Sequence, residues 1–302
     1  MNNTEDHVQD LHAGPYENIL YTTYYILVFI IALPGNVLAL WAFFQRGTSS
    51  SSRVFLRHLS MADICYVLIL PLRIVYHLLN CHWPFGNVLC QLSGFLFYLN
   101  IYSSMYLMSF ISLDRLIAVL FAAKSRVIRK AVYANAVVCL LWLLIIMSTS
   151  PMLFAGANIS SNSTGTCGKL YLERPSQKAL ASTVVAFVIP LATVVIAYIL
   201  ILVKLQSVRQ REQRGVKDKA VKLIVLVVIH FLFVFVPYHV SRVMYIKSAV
   251  DGDTTTVHRS SSIAKVNQVT SALMCLSGIL DPVMYFFLNK VYRGKLLQLV
   301  CK

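Results

Sequence analysis

The sequence predicts an all-α membrane protein, a seven-transmembrane helix bundle with a short amphipathic C-terminal helix. The composition is the first observation behind this prediction. The chain of 302 residues is 58% hydrophobic and only 13% charged, with a mean hydropathy of +0.68. A soluble domain of this length needs a much more polar surface. The second observation is a series of seven apolar windows, each exceeding the ~20 helical residues that cross a hydrocarbon core of ~30 Å.

The seven windows follow one another along the chain with polar connections between them. In order they cover Ile19–Phe44, Val54–Leu79, Val88–Leu120, Val132–Ala155, Leu180–Val203, Val221–Tyr245 and Ile263–Phe287. They are dense in Leu, Ile and Phe, whereas a barrel strand would alternate over ~10 residues. A competing interpretation treats one or two of them as re-entrant or buried segments. No soluble module interrupts the series, so we interpret residues 1–302 as a single domain.

Charge on the connections predicts the orientation of the bundle. Residues 1–18 are acidic and contain no Lys or Arg, whereas the first, third and fifth connections and residues 289–302 are basic. Short basic loops stay in the cytosol, which predicts a multi-pass plasma-membrane protein with residues 1–18 outside. Residues 289–302 alternate basic and apolar side chains, which predicts an amphipathic helix lying on membrane lipids. The net charge of +15 follows from this topology and does not indicate a nucleic-acid partner.

Glycosylation sequons and cysteines fit the same orientation. The sequons are at Asn2, Asn158 and Asn162, all on the predicted outer face. Cys90 opens the third window from outside and Cys167 lies in the largest outer loop, so a bridge between them would tie that loop to a helix end. Cys301 lies beside basic residues, where palmitoylation and a plain free thiol are both consistent with the sequence.

Ionisable residues inside a membrane are rare and predict functional sites. Asp63 in the second window and Asp281 in the seventh lie at comparable depth, and Asn100 and Ser104 are one helical turn apart in the third. Two carboxylates cannot both stay ionised there without a cation or a shared proton, so we predict a sodium site. The alternative is a protonated Asp63 that is hydrogen-bonded to Asn36.

A second polar group lies at the inner end of the third window. Asp114 and Arg115 are adjacent there, and Tyr198 and Tyr285 are expected near the same face. One interpretation is a switch in which Arg115 pairs with Asp114 in one state and with other partners in a second. The alternative is an interfacial ion pair that extends to water, as charges at helix ends often do.

Prolines in the windows predict bends that act as hinges, because proline removes one helical hydrogen bond. They are Pro34, Pro71, Pro151, Pro190, Pro237 and Pro282. Pro237 follows an aromatic run, so Phe235 is the candidate for a moving packing element. His230, in the same window, is interpreted as a satisfied core residue.

The outer half of the windows is basic and aromatic. Arg73 lies in the second window, and His239 and Arg242 lie nearly one turn apart in the sixth. Four tyrosines are expected at similar depth: Tyr25, Tyr76, Tyr98 and Tyr102. Arginines that face tyrosines without an acidic residue in the outer half predict an anionic ligand. The alternative is that Arg73 and Arg242 extend into the outer headgroups.

No motif for catalysis accompanies these residues. The sequence contains no HExxH, P-loop or CxxC signature, so an enzyme is not predicted. The absence of an inverted repeat weakens a transporter interpretation without excluding it.

The combination of motifs resembles the rhodopsin-like G-protein-coupled receptors, and within them the purinergic and leukotriene branch. The resemblance extends from Tyr24 to Leu299 and includes Gly35-Asn36, Asp63, Trp83, Cys90, Asp114-Arg115, Trp142, Pro190, Tyr198, Phe235, Pro237 and Asp281-Pro282-xx-Tyr285. The branch is indicated by His82-Trp83-Pro84-Phe85-Gly86 and by Pro237-Tyr238-His239-Val240-xx-Arg242.

The resemblance implies a heterotrimeric G protein as partner, of inhibitory or Gq type, which Arg115 would meet. It also implies an outer disulfide between Cys90 and Cys167, an allosteric Na⁺ near Asp63, and an anionic ligand at His239 and Arg242. Leu116 stands where the family often has tyrosine, which leaves basal activity open. We therefore expect a receptor for a nucleotide or an acidic lipid. The rival interpretations are a receptor that needs no agonist and an ion-coupled transporter or channel.

Overall fold

The computed structural model describes residues 14–45, 50–121, 125–154, 167, 176–207, 221, 224–250, 257–288 and 290–300. Seven helices in this part of the chain are long and apolar enough to cross a membrane, which confirms the predicted fold class. They are α1 (Pro15–Phe44), α2 (Ser51–Leu78), α3 (Gly86–Leu120), α4 (Ala131–Thr149), α5 (Gln177–Lys204), α6 (Ile224–Val250) and α7 (Ser262–Phe287). The eighth helix, α8, is Lys290–Val300. The three sequons and Cys301 lie outside the described residues and stay predictions.

Prolines lie at two breaks in these helices, whereas Pro34, Pro190 and Pro282 lie inside helices that continue through them. α2 consists of two helical pieces, Ser51–Val67 and Leu70–Leu78, and Pro71 lies in the first turn of the second piece. The fourth predicted window was too long, because α4 ends at Thr149 and a separate short helix starts at Pro151. Proline suits the first turn of a helix, where its missing N–H has no helical partner.

A π-helical turn interrupts α6 between Phe231 and Phe235, directly before the helix that contains Pro237. A π turn is a local widening that is frequent at functional sites. It adds a second irregularity to the bend that the proline predicts, so the hinge region of α6 starts earlier than the sequence indicated.

The bundle is organised around α3, which packs against α2, α4 and α5. α6 packs between α5 and α7, and α1 packs against α2, α7 and α8. Large apolar side chains such as Ile30, Leu140 and Phe233 point outwards and are more than half exposed. Exposed apolar residues of this kind suit a lipid surface.

α1 and α7 approach closely through small residues. A Cβ atom on Gly35 would lie 2.9 Å from Pro282 Cγ, and one on Gly278 would lie 3.3 Å from Ala32 Cβ. The amide of Asn36 crosses this contact and donates to the backbone oxygen of Gly278 at 2.8 Å. Small residues let membrane helices pack without a hydrophobic driving force between them.

Candidate functional site

The half of the bundle nearer the start of α1, which we call the outer half because the loop charges predict that it faces outwards, buries an arginine in an aromatic cage. Arg73, on the second piece of α2, is 0% exposed. Its guanidinium carbon lies 4.8 Å from the ring centroid of Phe97, 5.7 Å from that of Tyr66 and 6.0 Å from that of Tyr25. The aromatic faces attract the cation, which offsets part of the cost of burying it. The guanidinium therefore stays inside the bundle, and the alternative that Arg73 extends into the headgroups is wrong.

A second cationic group lies on α6. Arg242 is 1% exposed, and its guanidinium carbon lies 5.7 Å from the ring centroid of Tyr245. One turn earlier, the His239 ring stacks on Phe187 of α5 at 4.4 Å and meets the edge of Tyr102 at 6.5 Å. Three helices thus converge on this imidazole. Burial also excludes the headgroup alternative for Arg242.

The protonation of His239 follows from its neighbour. Nδ1 lies 2.8 Å from the backbone oxygen of Phe235, which can only accept, so Nδ1 carries the proton. His239 Nε2 is buried and has no hydrogen-bond partner among the described residues. In the neutral ring this nitrogen is an acceptor. One turn of α6 therefore carries both a guanidinium donor and an imidazole acceptor.

Aromatic contacts connect the two cationic groups. Phe97 contacts Tyr238 edge to face at 5.8 Å, and Tyr238 contacts His239 at 5.1 Å. Tyr98 and Tyr102 stack on α3 at 6.3 Å. The structure thus brings most of the predicted ligand residues into one aromatic region.

Tyr76 is the exception among the predicted ligand residues. It contacts Trp83 at 6.2 Å and packs beside the disulfide. That disulfide joins Cys90 and Cys167, with the Cα atoms 5.7 Å apart, which confirms the predicted bridge. Tyr76 thus lies beside the disulfide, and it also meets the edge of the His77 ring at 5.1 Å.

Phe97 and Tyr66, which belong to the cage around Arg73, and Phe187, which stacks on His239, were not predicted as site residues. Each is an aromatic residue in an apolar window, where nothing distinguishes it from a residue that faces lipid. His77 is also drawn inwards, because its ring stacks against Tyr21 at 4.8 Å and Tyr25 at 5.7 Å. Only the rotation of each helix, which is set by its neighbours, could have identified the three aromatic residues, whereas His77 was visible in the sequence as an ionisable residue one turn after Arg73.

An acidic pair occupies the middle of the bundle. Asn100 donates to Asp63 Oδ1 at 3.0 Å and to Ser104 Oγ at 3.4 Å. Asp63 Oδ2, both carboxyl oxygens of Asp281 and the Oγ of Ser277 are buried and make no hydrogen bond with any described residue. These hard oxygen atoms suit a small cation, and Asp63, Ser104 and Asp281 would hold it. The residues therefore fit a sodium ion.

Two neighbours of the acidic pair differ from expectation. Asn36 donates to the backbone oxygens of Ala32 and Gly278, and its Oδ1, which would accept from a protonated Asp63, makes no hydrogen bond with any described residue, so the structure does not contain the alternative Asn36–Asp63 bond. His230 Nδ1 lies 3.5 Å from Asp281 Oδ1, and its ring stacks on Phe235. Its interpretation as a satisfied core residue was wrong, because Nε2 has no hydrogen-bond partner in the described part of the chain.

The inner end of α3 contains a charged network with an unexpected partner. Arg129, just before α4, binds Asp114 with two parallel contacts, Nε to Oδ1 at 2.8 Å and Nη2 to Oδ2 at 2.7 Å. Ser51 and Ser52, at the start of α2, donate to the same two oxygens. In this conformation the salt bridge of Asp114 goes to Arg129 and not to Arg115, and the predicted two-state switch stays a prediction.

Arg115 reaches the network only through a serine. Its Nη2 donates to Ser52 Oγ at 3.0 Å, and its Nε has no hydrogen bond to any residue described. Tyr198 on α5 accepts a hydrogen bond from Ser112 at 2.8 Å. Tyr285 on α7 packs against Phe43 and Tyr292 at 5.5 and 6.0 Å. Tyr198 lies close enough to Arg115 for an electrostatic interaction, as expected, whereas the described contacts of Tyr285 are with other residues.

Known proteins have sequences similar to this one over most of its length. The family model described as 7 transmembrane receptor (rhodopsin family) matches residues 35–285. The uracil nucleotide/cysteinyl leukotriene receptor of Rattus norvegicus is 42% identical over 290 residues, which cover 95% of this chain and 84% of that receptor. The Homo sapiens protein of the same name is also 42% identical, over 95% of this chain and 78% of its own. Purinoceptor 1 of Rattus norvegicus is 33% identical over 90% of this chain and 74% of its own.

Proposed function

This chain belongs to the rhodopsin family of seven-transmembrane receptors, and we propose that it binds an extracellular anionic small molecule or lipid and activates a heterotrimeric G protein. It is a multi-pass membrane protein. Its relatives are receptors and not enzymes, in agreement with the sequence analysis. The observation that carries the proposal is the pair of buried arginines, Arg73 and Arg242, in an aromatic setting.

The ligand class follows from the chemistry of the outer cavity. Guanidinium groups bind carboxylate and phosphate groups with two parallel hydrogen bonds. The aromatic rings around them suit either a nucleobase or an apolar chain. The names of the relatives include both a uracil nucleotide and a cysteinyl leukotriene, which have these two kinds of anionic structure. We therefore propose a nucleotide or an acidic lipid of the leukotriene type as the ligand.

The proposed signal passes through α6. Arg242 and His239 are on this helix, and the π turn that ends at Phe235 separates them from its inner part. A ligand that holds Arg242 towards Arg73 favours one position of the outer part of α6. It needs to bind that state better by only ~2.7 kcal/mol to change the ratio of the two states about 100-fold. The inner part would then move and expose Arg115 to the G protein.

Sodium is proposed as an allosteric modulator at the acidic pair. Asp63 and Asp281 are 1% and 0% exposed, and Asp63 Oδ2 and Asp281 Oδ2 make no hydrogen bond with any described residue. Bound cation would stabilise the arrangement of α2, α3 and α7 that presents these oxygens, by linkage. We also propose, from the charge on the loops, that the N-terminus is outside and the inner network faces the cytosol.

The experiment that tests the ligand proposal measures the response of cells to uracil nucleotides and to cysteinyl leukotrienes. Arg242→Ala should abolish the response to any active compound, while surface expression stays at the wild-type level. Lys247→Ala is the matched control, because Lys247 is a basic residue on α6 that is exposed. A full response from the Arg242 variant would overturn the assignment of the cavity.

A receptor that signals without an agonist is the second candidate function. The observation that favours it is the position of Arg115, which has no salt bridge to Asp114 because Arg129 takes that carboxylate. Nucleotide exchange on inhibitory-type and Gq-type G proteins, with the protein in nanodiscs and no ligand added, tests this candidate. High exchange that Arg115→Ala removes would support it.

A further inference from the structure

Asp114 has four donors in this structure. Its Oδ1 accepts from Ser51 Oγ and from Arg129 Nε, and its Oδ2 accepts from Ser52 Oγ and from Arg129 Nη2. A carboxylate has about four lone-pair positions for hydrogen bonds. Every position is therefore filled, and the carboxylate is 3% exposed, so water does not add to the set.

Arg115 is excluded from this carboxylate although it is the next residue in the chain. Its Nη2 donates to Ser52 Oγ at 3.0 Å, and that serine donates in turn to Asp114. The hydroxyl of Ser52 has one proton to give and two lone pairs to offer, which matches its donation to Asp114 and its two guanidinium neighbours, Arg115 and Arg129. Ser52 thus keeps Arg115 one atom away from the acid.

We propose that Arg129 is a positioning residue for G-protein coupling: together with Ser51 and Ser52 it fills Asp114 and so leaves Arg115 available to the G protein. This inference rests on the proposed function of the chain as a receptor. It assigns the control of Arg115 to a residue of the connection between α3 and α4.

The network has a backbone component that supports this role. The amide of Ser51 donates to the carbonyl of Arg129 at 3.2 Å, and the amide of Arg129 donates to the carbonyl of Ser125 at 2.9 Å. The Arg129 side chain is only 22% exposed, because most of it is buried where it contacts Asp114. The start of α2 and the connection before α4 are thus joined by backbone and side chain at the same place.

The test compares ligand-free nucleotide exchange by the full chain in nanodiscs, with inhibitory-type and Gq-type heterotrimers. Arg129→Gln empties two acceptor positions on Asp114, and Arg115 then takes them. We expect exchange to fall about tenfold, the lower end for a charge-assisted hydrogen bond that Arg115 gains in the silent state. Ser51→Ala, which empties one position and leaves Arg129 in place, should lower exchange by less.

The Asp114→Asn variant distinguishes the proposed positioning role of Arg129 from a purely structural role. Without a carboxylate, Arg115 has nothing to return to, so Asp114→Asn should raise exchange above the wild-type level. Adding Arg129→Gln should then change nothing, because there is no acid left to withhold. If Arg129 only shaped the loop, its loss would lower exchange in both backgrounds, and the inference would be overturned.

Arg57→Gln is the matched control. Arg57 also connects the inner part of α2 to α4, since its Nη2 donates to Asn135 Oδ1 at 3.5 Å, but it does not contact Asp114. It should leave exchange at the wild-type level, and a fall equal to that of Arg129→Gln would count against the inference. Wild-type protein that shows no exchange with either G protein, both without ligand and with uracil nucleotides or cysteinyl leukotrienes added, would overturn the proposed coupling itself. Exchange that Arg129→Gln leaves unchanged or raises would overturn the inference alone.

Discussion

The two halves of the bundle use arginine in opposite ways. In the outer half, Arg73 and Arg242 are buried against aromatic rings. In the inner half, Arg129 binds a buried carboxylate through two parallel contacts, and Arg115 donates to a serine beside it. The outer cations thus lie against faces that attract charge weakly, whereas Arg129 faces a full negative charge.

The different partners of these arginines suit the two halves to different tasks. A cation–π contact contributes only ~0.5–2 kcal/mol, so the aromatic rings beside Arg73 and Arg242 oppose the binding of an anion only weakly. A cation paired with a buried carboxylate is costly to separate from it, by ~3–5 kcal/mol. The outer half is therefore suited to receive a ligand, and the inner half to hold a defined arrangement of helices until it is switched.

The largest expected effect compares the same substitution in both halves. Arg129→Met leaves the buried carboxyl of Asp114 with two serines only, which should lower the free energy of unfolding by ~3 kcal/mol. Arg73→Met removes cation–π contacts and places an apolar side chain among aromatic rings, so ~1 kcal/mol is expected. Thermal and denaturant unfolding in the same detergent would compare them. Equal losses would remove the distinction between the halves.

The close contact between α1 and α7 should be the part of the bundle that is least tolerant of added volume. Gly35→Ala places a methyl group 2.9 Å from Pro282 Cγ, and overpacking of this kind costs ~1–3 kcal/mol. Gly294→Ala is the control, because a Cβ there meets nothing within 4 Å and alanine favours the helix. A stability measurement on both variants decides the point. An unchanged Gly35 variant would show that α1 and α7 can separate at little cost.

Sodium should stabilise the protein by binding at Asp63 and Asp281 and not at Asp114. If Asp63 and Asp281 hold Na⁺, replacing choline by Na⁺ at tenfold above its Kd should stabilise the protein by ~1.4 kcal/mol. Asp281→Asn should remove this stabilisation. Asp114→Asn should retain it, because Asp114 is occupied by Arg129 and the two serines. A sodium effect that survives in the Asp281 variant would place the cation elsewhere.

The smallest expected effect measures a cation–π contact outside the cavity. Lys295 of α8 lies 3.6 Å from the ring centroid of Trp41 on α1. Lys295→Gln should lower stability by ~0.5 kcal/mol, since the pair is partly exposed. Arg293→Gln on the same helix is the comparison. A loss much larger than this would mean that cation–π contacts hold the outer arginines more firmly than the comparison of the two halves assumes.

Much of the fold could be predicted from the sequence because the membrane restricts the choices. Seven apolar windows in a bilayer must be helices, since every backbone group has to be satisfied within the segment. The positions of Pro151 and Pro237 predicted where α4 and α6 are irregular. The exact ends were less accurate. α1 starts at Pro15, before its window, and includes Glu17, which contacts Lys265 at 3.5 Å on the exposed outer surface.

The candidate site was predicted in part. Arg73, His239 and Arg242 stood out because ionisable residues are rare in apolar windows. In the structure, aromatic contacts connect the residues around Arg73 with those around His239. Phe97, Tyr66 and Phe187 did not stand out, because an aromatic residue is ordinary in a membrane helix. Arg129 was counted only as one of several basic loop residues. Its role depends on the folding of the connection back towards α2, which no local pattern records.

The amino-acid sequence is sufficient to show that this protein lies in a membrane, how many times the chain crosses it, and which residue types are available for a ligand and a switch. These properties depend on composition and on period along one chain, which the printed letters contain. The partner of each charged residue is known only from the three-dimensional structure. Asp114 binds Arg129 and not its neighbour Arg115, and His230 lies beside Asp281. The reason is geometric, because successive residues on a helix point in different directions and their partners come from other helices.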